Sequence, residues 1–163
     1  MIGATRQIQI TVRASNQPAL LSRLMASAVS CGAEVLVASS HWDGSGTVVR
    51  VVTQDAARTG RALTAAGFDC EVDFVVLVEA PDKPGTAARL VDRLTAAGIH
   101  VLLSYSFRSD NRRSYVVLKT SDDDRAIYLL EVDALIHQLA ETHRRLPPAE
   151  DEMVEDFLVG RTA

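Results

Sequence analysis

The sequence predicts an α+β protein made of two tandem βαββαβ modules, with antiparallel sheets, helices on one face and a C-terminal helical extension. The 163-residue chain is 47% hydrophobic but only 5% aromatic, which suits thin layers of sheet and helix better than a large aromatic-lined pocket. An internal repeat also runs through the chain, and both copies show the same order of strand, turn, helix and hairpin signals.

The repeat becomes visible when Pro18 is aligned with Pro84, 66 positions later, and it continues without a gap from Ile8 to Trp42. Identical pairs are Val12 and Val78, Ala14 and Ala80, Arg23 and Arg89, Leu24 and Leu90, Gly32 and Gly98, and Ser40 and Ser106. Chance produces identities in a chain rich in Ala, Val and Leu, but it does not preserve the order of structural signals. We therefore interpret the repeat as structural.

Each copy begins with a β-rich stretch and a turn that ends in proline. The stretches are Gln7 to Ala14 and Phe74 to Ala80. Because proline has no N–H group to satisfy, it is favoured in the first turn of a helix, and we expect a helix to start at each proline. Apolar residues at helical spacing follow, and Gly32 and Gly98 end the two helices.

A second strand, a tight turn and a third strand come next in both copies, which predicts a hairpin in each. The hairpin strands are Glu34 to Trp42 and Thr47 to Thr53 in copy one, and His100 to Arg108 and Ser114 to Thr120 in copy two.

The two copies differ after the hairpin. In copy one a helix, about Asp55 to Ala66, leads into a strand, Asp69 to Val72, which completes a ferredoxin-like unit. In copy two neither glycine nor proline interrupts residues 122–145, so one long helix is predicted and the fourth strand is missing. Two interpretations stay open: the tail segment Met153 to Val159 supplies that strand, or the acidic tail is frayed.

These boundaries divide the chain into three parts. They are an N-terminal module (residues 1–73), a second module whose fourth strand is doubtful (74–132), and a C-terminal helix with an acidic tail (133–163).

The turn Asp82-Lys83-Pro84-Gly85 lies between the first strand and the first helix of copy two. An Asp-x-Pro-Gly turn at this place is the hallmark of the ACT domain family. With Ala97-Gly98-Ile99 and Tyr105-Ser106-Phe107, the sequence resembles tandem ACT proteins over about residues 6–132. The resemblance implies a regulatory protein that dimerises, binds an amino acid or similar effector near the first turn at an interface between modules, and performs no catalysis.

The chemistry of this turn also favours a ligand on physical grounds. Free N–H groups at a helix N-terminus attract an α-carboxylate, and Gly85 lets a ligand approach the backbone. Asp82 is suited to accept the ligand's ammonium group, and Lys83, Pro84 and Thr86 complete the candidate site. Because glycine weakens a helix start, we expect Gly85 to have a functional reason.

Copy one reads Asn16-Gln17-Pro18-Ala19 at the equivalent place, so an amide replaces the carboxylate and a methyl group replaces the glycine hydrogen. We expect copy two to supply the anchoring turn and copy one to contribute a wall through Ser39 and His41, with Asn16 of its own turn as a further candidate. The alternative is that copy one is only a packing partner. Tyr105 is a further candidate, because it alternates with another aromatic residue along one strand. Core packing or dimer contact and ligand contact both remain open for it.

Charge and composition disfavour several other classes of protein. The net charge of −4, with Lys and Arg dispersed, gives no sustained attraction for nucleic acid or for an anionic membrane. No apolar run approaches the ~20 residues of a membrane span, and no secretory signal is visible, so we expect a cytoplasmic protein. Cys31 and Cys70 have no CxxC spacing, and we expect both to be small buried hydrophobes.

Neither a catalytic set nor a metal site is predicted. Residues 39–43 superficially resemble a Ser-His-Asp set, but contiguous strand residues point to alternate faces. The other histidines lack metal-ligand spacing, and Asp122 to Asp124 suit a helix start. We therefore expect no metal, no cofactor and no enzyme activity. An acylphosphatase-like hydrolase would need a basic phosphate cradle that both first turns lack.

Two functions remain open. The first is a regulator that senses an amino acid and passes its binding to a partner protein; a variant is a transcriptional co-regulator resembling the tandem-ACT repressor of the glycine cleavage system, acting through another DNA-binding protein. The second is an interaction module that dimerises without a ligand.

Overall fold

The computed structural model describes residues 3–15, 19–109 and 113–145, which form six strands and four helices. The strands are β1 (Gly3–Ala14), β2 (Val35–Trp42), β3 (Thr47–Thr53), β4 (Cys70–Pro81), β5 (Val101–Ser109) and β6 (Arg113–Thr120). The helices are α1 (Leu20–Ser30), α2 (Ala56–Ala65), α3 (Thr86–Ala96) and α4 (Asp123–Arg145).

All six strands belong to one antiparallel sheet with the order β2-β3-β1-β4-β6-β5. This arrangement confirms the predicted α+β class, including both hairpins and the long C-terminal helix. None of the four helices described is long and apolar enough to cross a membrane.

The centre of the sheet lies between β1 and β4, where the two copies of the repeat meet. Ile8 pairs with Phe74, its own counterpart 66 positions later. Because β1 and β4 are antiparallel, an approximate twofold axis through this pair relates the copies. The C-terminal ends of β1 and β4 therefore lie at opposite ends of the sheet.

The strand β4 is continuous where the sequence predicted two separate strands, Asp69 to Val72 and Phe74 to Ala80. Its first part pairs with the second part of β1, and its second part pairs with residues 3–8 of β1. The strand position left open in copy two is thus occupied by the start of β1. The alternative strand, Met153 to Val159, lies outside the described residues, and the division of the chain into modules stays a prediction.

The helix α3 starts later than predicted. The expectation that Pro84 opens the helix is wrong, because Gly85 follows it as the N-cap residue with a φ of 78° and the helix begins only at Thr86. A left-handed residue cannot continue a right-handed helix, so Pro84 belongs to the preceding turn. Pro18, the corresponding residue of copy one, lies outside the described residues.

Two hydrophobic clusters fix the helices on one face of the sheet. The first packs α1 and α2 on the strands of copy one and contains Ile10, Leu24, Leu63 and Phe68. The second packs α3 and α4 on the strands of copy two and contains Val78, Leu90, Leu94 and Leu130.

A third cluster buries apolar side chains of the opposite face, which we call the helix-free face. Its buried members are Val37, Val52, Val75, Leu77 and Val117, and all of them belong to strands. The sheet curls enough to cover them, because its two edge strands, β2 and β5, approach within 8 Å of each other between Cα atoms. The hydroxyl of Tyr105 on β5 also reaches Gln9 on β1, at 2.9 Å. The helix-free face is therefore concave.

Candidate ligand-binding site

The turn between β4 and α3 is closed by its own hydrogen bonds. The amide and the hydroxyl of Thr86 both donate to the carbonyl of Lys83, at 3.1 and 2.8 Å. The amide of Lys83 in turn donates to the carbonyl of Pro81, at 2.9 Å. These bonds hold the first residues of α3 in a fixed orientation relative to the sheet.

Gly85 has a conformational role in this turn that the sequence reasoning did not foresee. Its φ of 78° lies in the left-handed region, which glycine enters without steric cost. A Cβ atom at this position would lie 3.3 Å from Nη1 of Arg89. The counterpart in copy one, Ala19, adopts the same conformation with a φ of 65°. The backbone conformation therefore favours glycine at position 85, although alanine adopts it at position 19.

The carboxylates near the turn are already paired with arginines. Asp82 Oδ1 lies 3.1 Å from Nε of Arg108, whose side chain is 74% exposed. Glu79 forms a second ion pair with Arg113. The predicted role of Asp82, to accept a ligand's ammonium group, therefore requires that a ligand compete with Arg108.

In the part of the chain that the structure describes, no acid forms an ion pair with Arg89 in the first turn of α3. Among the described residues no side chain caps the helix, and the positive end of the helix dipole is directed at the turn. Arg89 donates to two neutral acceptors, the carbonyl of Pro84 at 3.3 Å and the hydroxyl of Thr86 at 3.2 Å. This end of α3 is suited to an anionic group.

The candidates from copy one are not brought to this turn. Through Arg50, Ser39 is aligned with Thr11 of β1. Glu79, which is near the turn, pairs with Gly3 at the other end of β1. Eight residues of strand separate the two positions, about 26 Å at roughly 3.3 Å per residue.

His41 lies still farther from the turn on the same strand as Ser39, and Asn16 lies outside the described residues. The expected wall from copy one therefore does not form around Gly85. The sequence candidates separate into a turn group, residues 82–86, and a group on the helix-free face.

Tyr105 belongs to the group on the helix-free face. Its ring packs against the third cluster, and its hydroxyl donates to Oε1 of Gln9. Burial raises the pKa of Tyr105 to about 12, although the nearby positive charge of Arg50 acts in the opposite direction. Both contacts hold the side chain inside the concave face.

The sequence reasoning missed Arg50, which lies on β3 among apolar residues. Its Nη1 donates to Nδ1 of His41, at 3.1 Å. The signal that was available in the sequence is the single charge in Thr47–Thr53, a strand that otherwise reads as buried. A lone arginine in such a strand must have a polar environment on one face of the sheet.

The cysteines and acidic residues form no metal centre in the part of the chain that the structure describes. Cys31 and Cys70 are both half-buried free thiols, less buried than expected. Each donates to a nearby backbone carbonyl, of Ala28 and of Phe68 respectively.

No family model and no curated protein matches the chain, but solved structures do. Protein BT0572 from Bacteroides thetaiotaomicron superposes with a TM-score of 0.71 at 21% identity, over 80% of this chain and 90% of that one. The ligand-free regulatory subunit of aspartate kinase from Thermus thermophilus superposes with a TM-score of 0.59 at 15% identity, over 80% and 94%. The chain has the tandem ACT fold.

A structure of aspartokinase alpha and beta subunits shares this tandem ACT fold, with a TM-score of 0.58 at 19% identity over 78% of this chain and 94% of that one. The matches span most of both chains, so the likeness covers the whole tandem arrangement. At these identities it establishes the fold, and the ligand has to be argued from the residues of this chain.

Proposed function

We propose that this tandem ACT protein is a regulator that binds a free α-amino acid at the turn between β4 and α3. The observation that carries the proposal is the combination, at one turn, of an uncapped helix N-terminus with the exposed ion pair between Asp82 and Arg108. A zwitterion has the two charges that such an arrangement recognises.

The ligand inserts between the partners of this ion pair. The ligand's carboxylate accepts hydrogen bonds from Arg108 and from the amides of Ala87 and Ala88, which follow Thr86 in the first turn of α3. Its ammonium group takes the place of Arg108 beside Asp82. Because the Arg108 side chain is 74% exposed, it is free to turn without disturbing the core. One exposed ion pair is thus exchanged for two charge-assisted contacts, which favours the bound state.

The regulatory character rests on the fold and on the position of the turn. The matching aspartate kinase structure is named as a regulatory subunit, and the turn directly joins β4, which pairs with both β1 and β6. We propose that binding at this turn changes how the protein associates with a second copy or with a partner protein in the cytoplasm, and that the protein itself is not an enzyme. Nucleic acid is not a direct partner in this proposal.

The test is a thermal-shift screen against the twenty amino acids, followed by calorimetry. A ligand at 100 times its Kd adds about 2.7 kcal/mol to the free energy of unfolding, which corresponds to a rise in Tm of roughly 5–10 °C for a chain of this size. Asp82→Asn should abolish the shift. Asp92→Asn is the matched control, because Asp92 is an exposed acid on α3.

A shift that survives Asp82→Asn would place the ligand elsewhere, and no shift with any amino acid would reject the proposal. Gly85→Val is less informative as a test, since a branched residue at a φ of 78° is strained whether or not a ligand binds.

A second candidate, an interaction module without a ligand, is favoured by the outer face of α4. Tyr128, Leu135 and Leu139 follow one another at helical spacing with Val132 between them, and these three are 70%, 58% and 61% exposed. Such a row is typical of a helix that packs on another protein. Sedimentation of the ligand-free protein, with Leu135→Glu as the variant, separates the candidates: a ligand-independent dimer lost in Leu135→Glu supports this one.

A further inference from the structure

Away from the α3 turn, the concave helix-free face gathers polar side chains from four different strands. They are Gln9 and Thr11 on β1, Ser39 and His41 on β2, Arg50 on β3 and Tyr105 on β5. Gln9 and Thr11 are only 5% and 7% exposed. Buried polar groups are costly without partners, so this cluster requires an explanation.

Part of the explanation is a chain of hydrogen bonds that fixes the orientation of the buried groups. The Tyr105 hydroxyl donates to Oε1 of Gln9, at 2.9 Å, and Nε2 of Gln9 donates to Oγ1 of Thr11, at 3.2 Å. The Gln9 amide is thereby held in one orientation. Since Thr11 Oγ1 accepts this bond, its own proton remains available to donate.

Arg50 lies directly beside this hydroxyl. It pairs with Thr11 on one side and with Ser39 on the other, and residues paired across antiparallel strands have side chains on the same face, with Cβ atoms about 5 Å apart. The Arg50 side chain therefore leaves the strand between two hydroxyl-bearing residues, and its Nη1 donates to His41.

Arg50 differs from the other cations of this face in its partners. Arg13 lies 3.5 Å from Asp43, Lys119 lies 3.1 Å from Asp73, and Arg113 is paired with Glu79. Among the described residues, no carboxylate lies within 4.0 Å of Arg50. The planar guanidinium offers several N–H donors in a fork that matches a carboxylate, and one imidazole nitrogen satisfies a single donor.

We propose that the helix-free face holds a second ligand site, in which Arg50 binds the carboxylate of a short aliphatic acid and the hydroxyls of Thr11 and Ser39 donate to the same group. The half-buried ring of Tyr105, whose hydroxyl is bound to Gln9 two residues from Thr11, provides an apolar surface for the aliphatic part, whereas Val37 and Val52 beneath it are only 2% and 0% exposed. The site is accessible to solvent, because Arg50 is half-buried and His41 is exposed.

This site is distinct from the one proposed at the α3 turn, from which it is separated by about 26 Å along β1. It also joins the two copies of the repeat, since Arg50 and Gln9 belong to copy one and Tyr105 to copy two. A ligand bound there stabilises the curled form of the sheet, in which β5 reaches over to β1.

The experiment is an NMR titration of the full chain with sodium isobutyrate, sodium acetate and sodium phosphate at constant ionic strength, observing the His41 and Tyr105 rings. We expect saturable shifts with isobutyrate, weaker binding of acetate because it has less apolar surface to bury, and no saturation with phosphate. Arg50→Gln should weaken isobutyrate binding about tenfold or more, since contacts between charged groups are the strongest hydrogen bonds.

Arg13→Gln is the matched control, because Arg13 lies on the same face but is already paired with carboxylates; it should leave the isobutyrate affinity unchanged. Arg50→Lys keeps the positive charge but loses the forked guanidinium, and it should weaken isobutyrate binding severalfold. This variant takes the place of Arg50→Gln if Arg50→Gln fails to fold. Asp82→Asn should not affect this titration, which separates the site from the proposed amino-acid site. Equal affinities in Arg50→Gln and Arg13→Gln, or no saturation up to about 100 mM isobutyrate, would overturn the proposal.

Discussion

Ala19 and Gly85 occupy equivalent positions, and exchanging their residue types should change stability in opposite directions. Both are N-cap residues in the left-handed region, with φ values of 65° and 78°. A residue with a Cβ atom costs about 1–2 kcal/mol there, while glycine gives the unfolded chain extra entropy of about 0.4–1 kcal/mol. The net effect is about 0.8 kcal/mol, stabilising for Ala19→Gly and destabilising for Gly85→Ala.

Urea denaturation of both variants measures this difference in the free energy of unfolding. In thermal unfolding, the Tm should rise by roughly 2–3 °C in Ala19→Gly and fall by the same amount in Gly85→Ala. Gly60→Ala is the control, because Gly60 lies inside α2 and an added Cβ would make only an ordinary contact of 3.9 Å with Cδ1 of Ile10. It should stabilise the protein by about 1 kcal/mol, as alanine does inside a helix. The reasoning is refuted if Ala19→Gly lowers the stability, or if Gly85→Ala raises it as Gly60→Ala does.

Three further predictions concern the hairpin and the concave face. The amides of Ser45 and Gly46 hold the pKa of Asp43 at about 2, so its contribution to stability is present above about pH 4 and is lost as the pH falls to about 2; a carboxyl titration by NMR that gives an ordinary pKa would contradict this. The pKa of Tyr105 is raised to about 12, so its contribution to the free energy of unfolding is complete below about pH 10 and is lost toward pH 12. In an ultraviolet titration of the tyrosines, the transition near pH 12 should be present in the wild type and absent in Tyr105→Phe; a transition that remains in this variant would contradict the assignment. Gly46→Ala should destabilise the protein by more than about 1 kcal/mol, since its Cβ would lie 2.5 Å from the carbonyl oxygen of Ala14. A midpoint of urea unfolding equal to that of the wild type would show that the hairpin adjusts to the added methyl group.

Most of the fold was predictable because its signals are local. Strand alternation, the turn at residues 43–46 and the glycines after the helices define each element from its own neighbours in the chain. The missing strand of copy two was not predictable in this way. Its place is taken by residues 3–8, which come before the repeat or at its first residue and join copy two only through pairing with β4.

The candidate site was predictable where a motif marks it and not where pairing across strands creates it. The Asp82 to Gly85 turn was found from four consecutive residues. From the same residues we expected a functional reason for Gly85, because the left-handed backbone angle that favours glycine cannot be seen in the sequence. Arg50 gains its neighbours from β1 and β2 through the strand register, which depends on the fold of the whole sheet.

The continuity of β1 and β4 through the middle of the sheet determines how this protein can come apart. Each of these strands has 12 residues, and each contributes one part to the first copy and the other part to the second. Separating the two copies would leave β1 and β4 as edge strands, each unpaired on one side, and would expose backbone groups that were hydrogen-bonded between them. Separate expression of residues 1–73 would therefore yield an incomplete sheet, and the two copies should melt in a single cooperative transition, as one folding unit made from two homologous sequences.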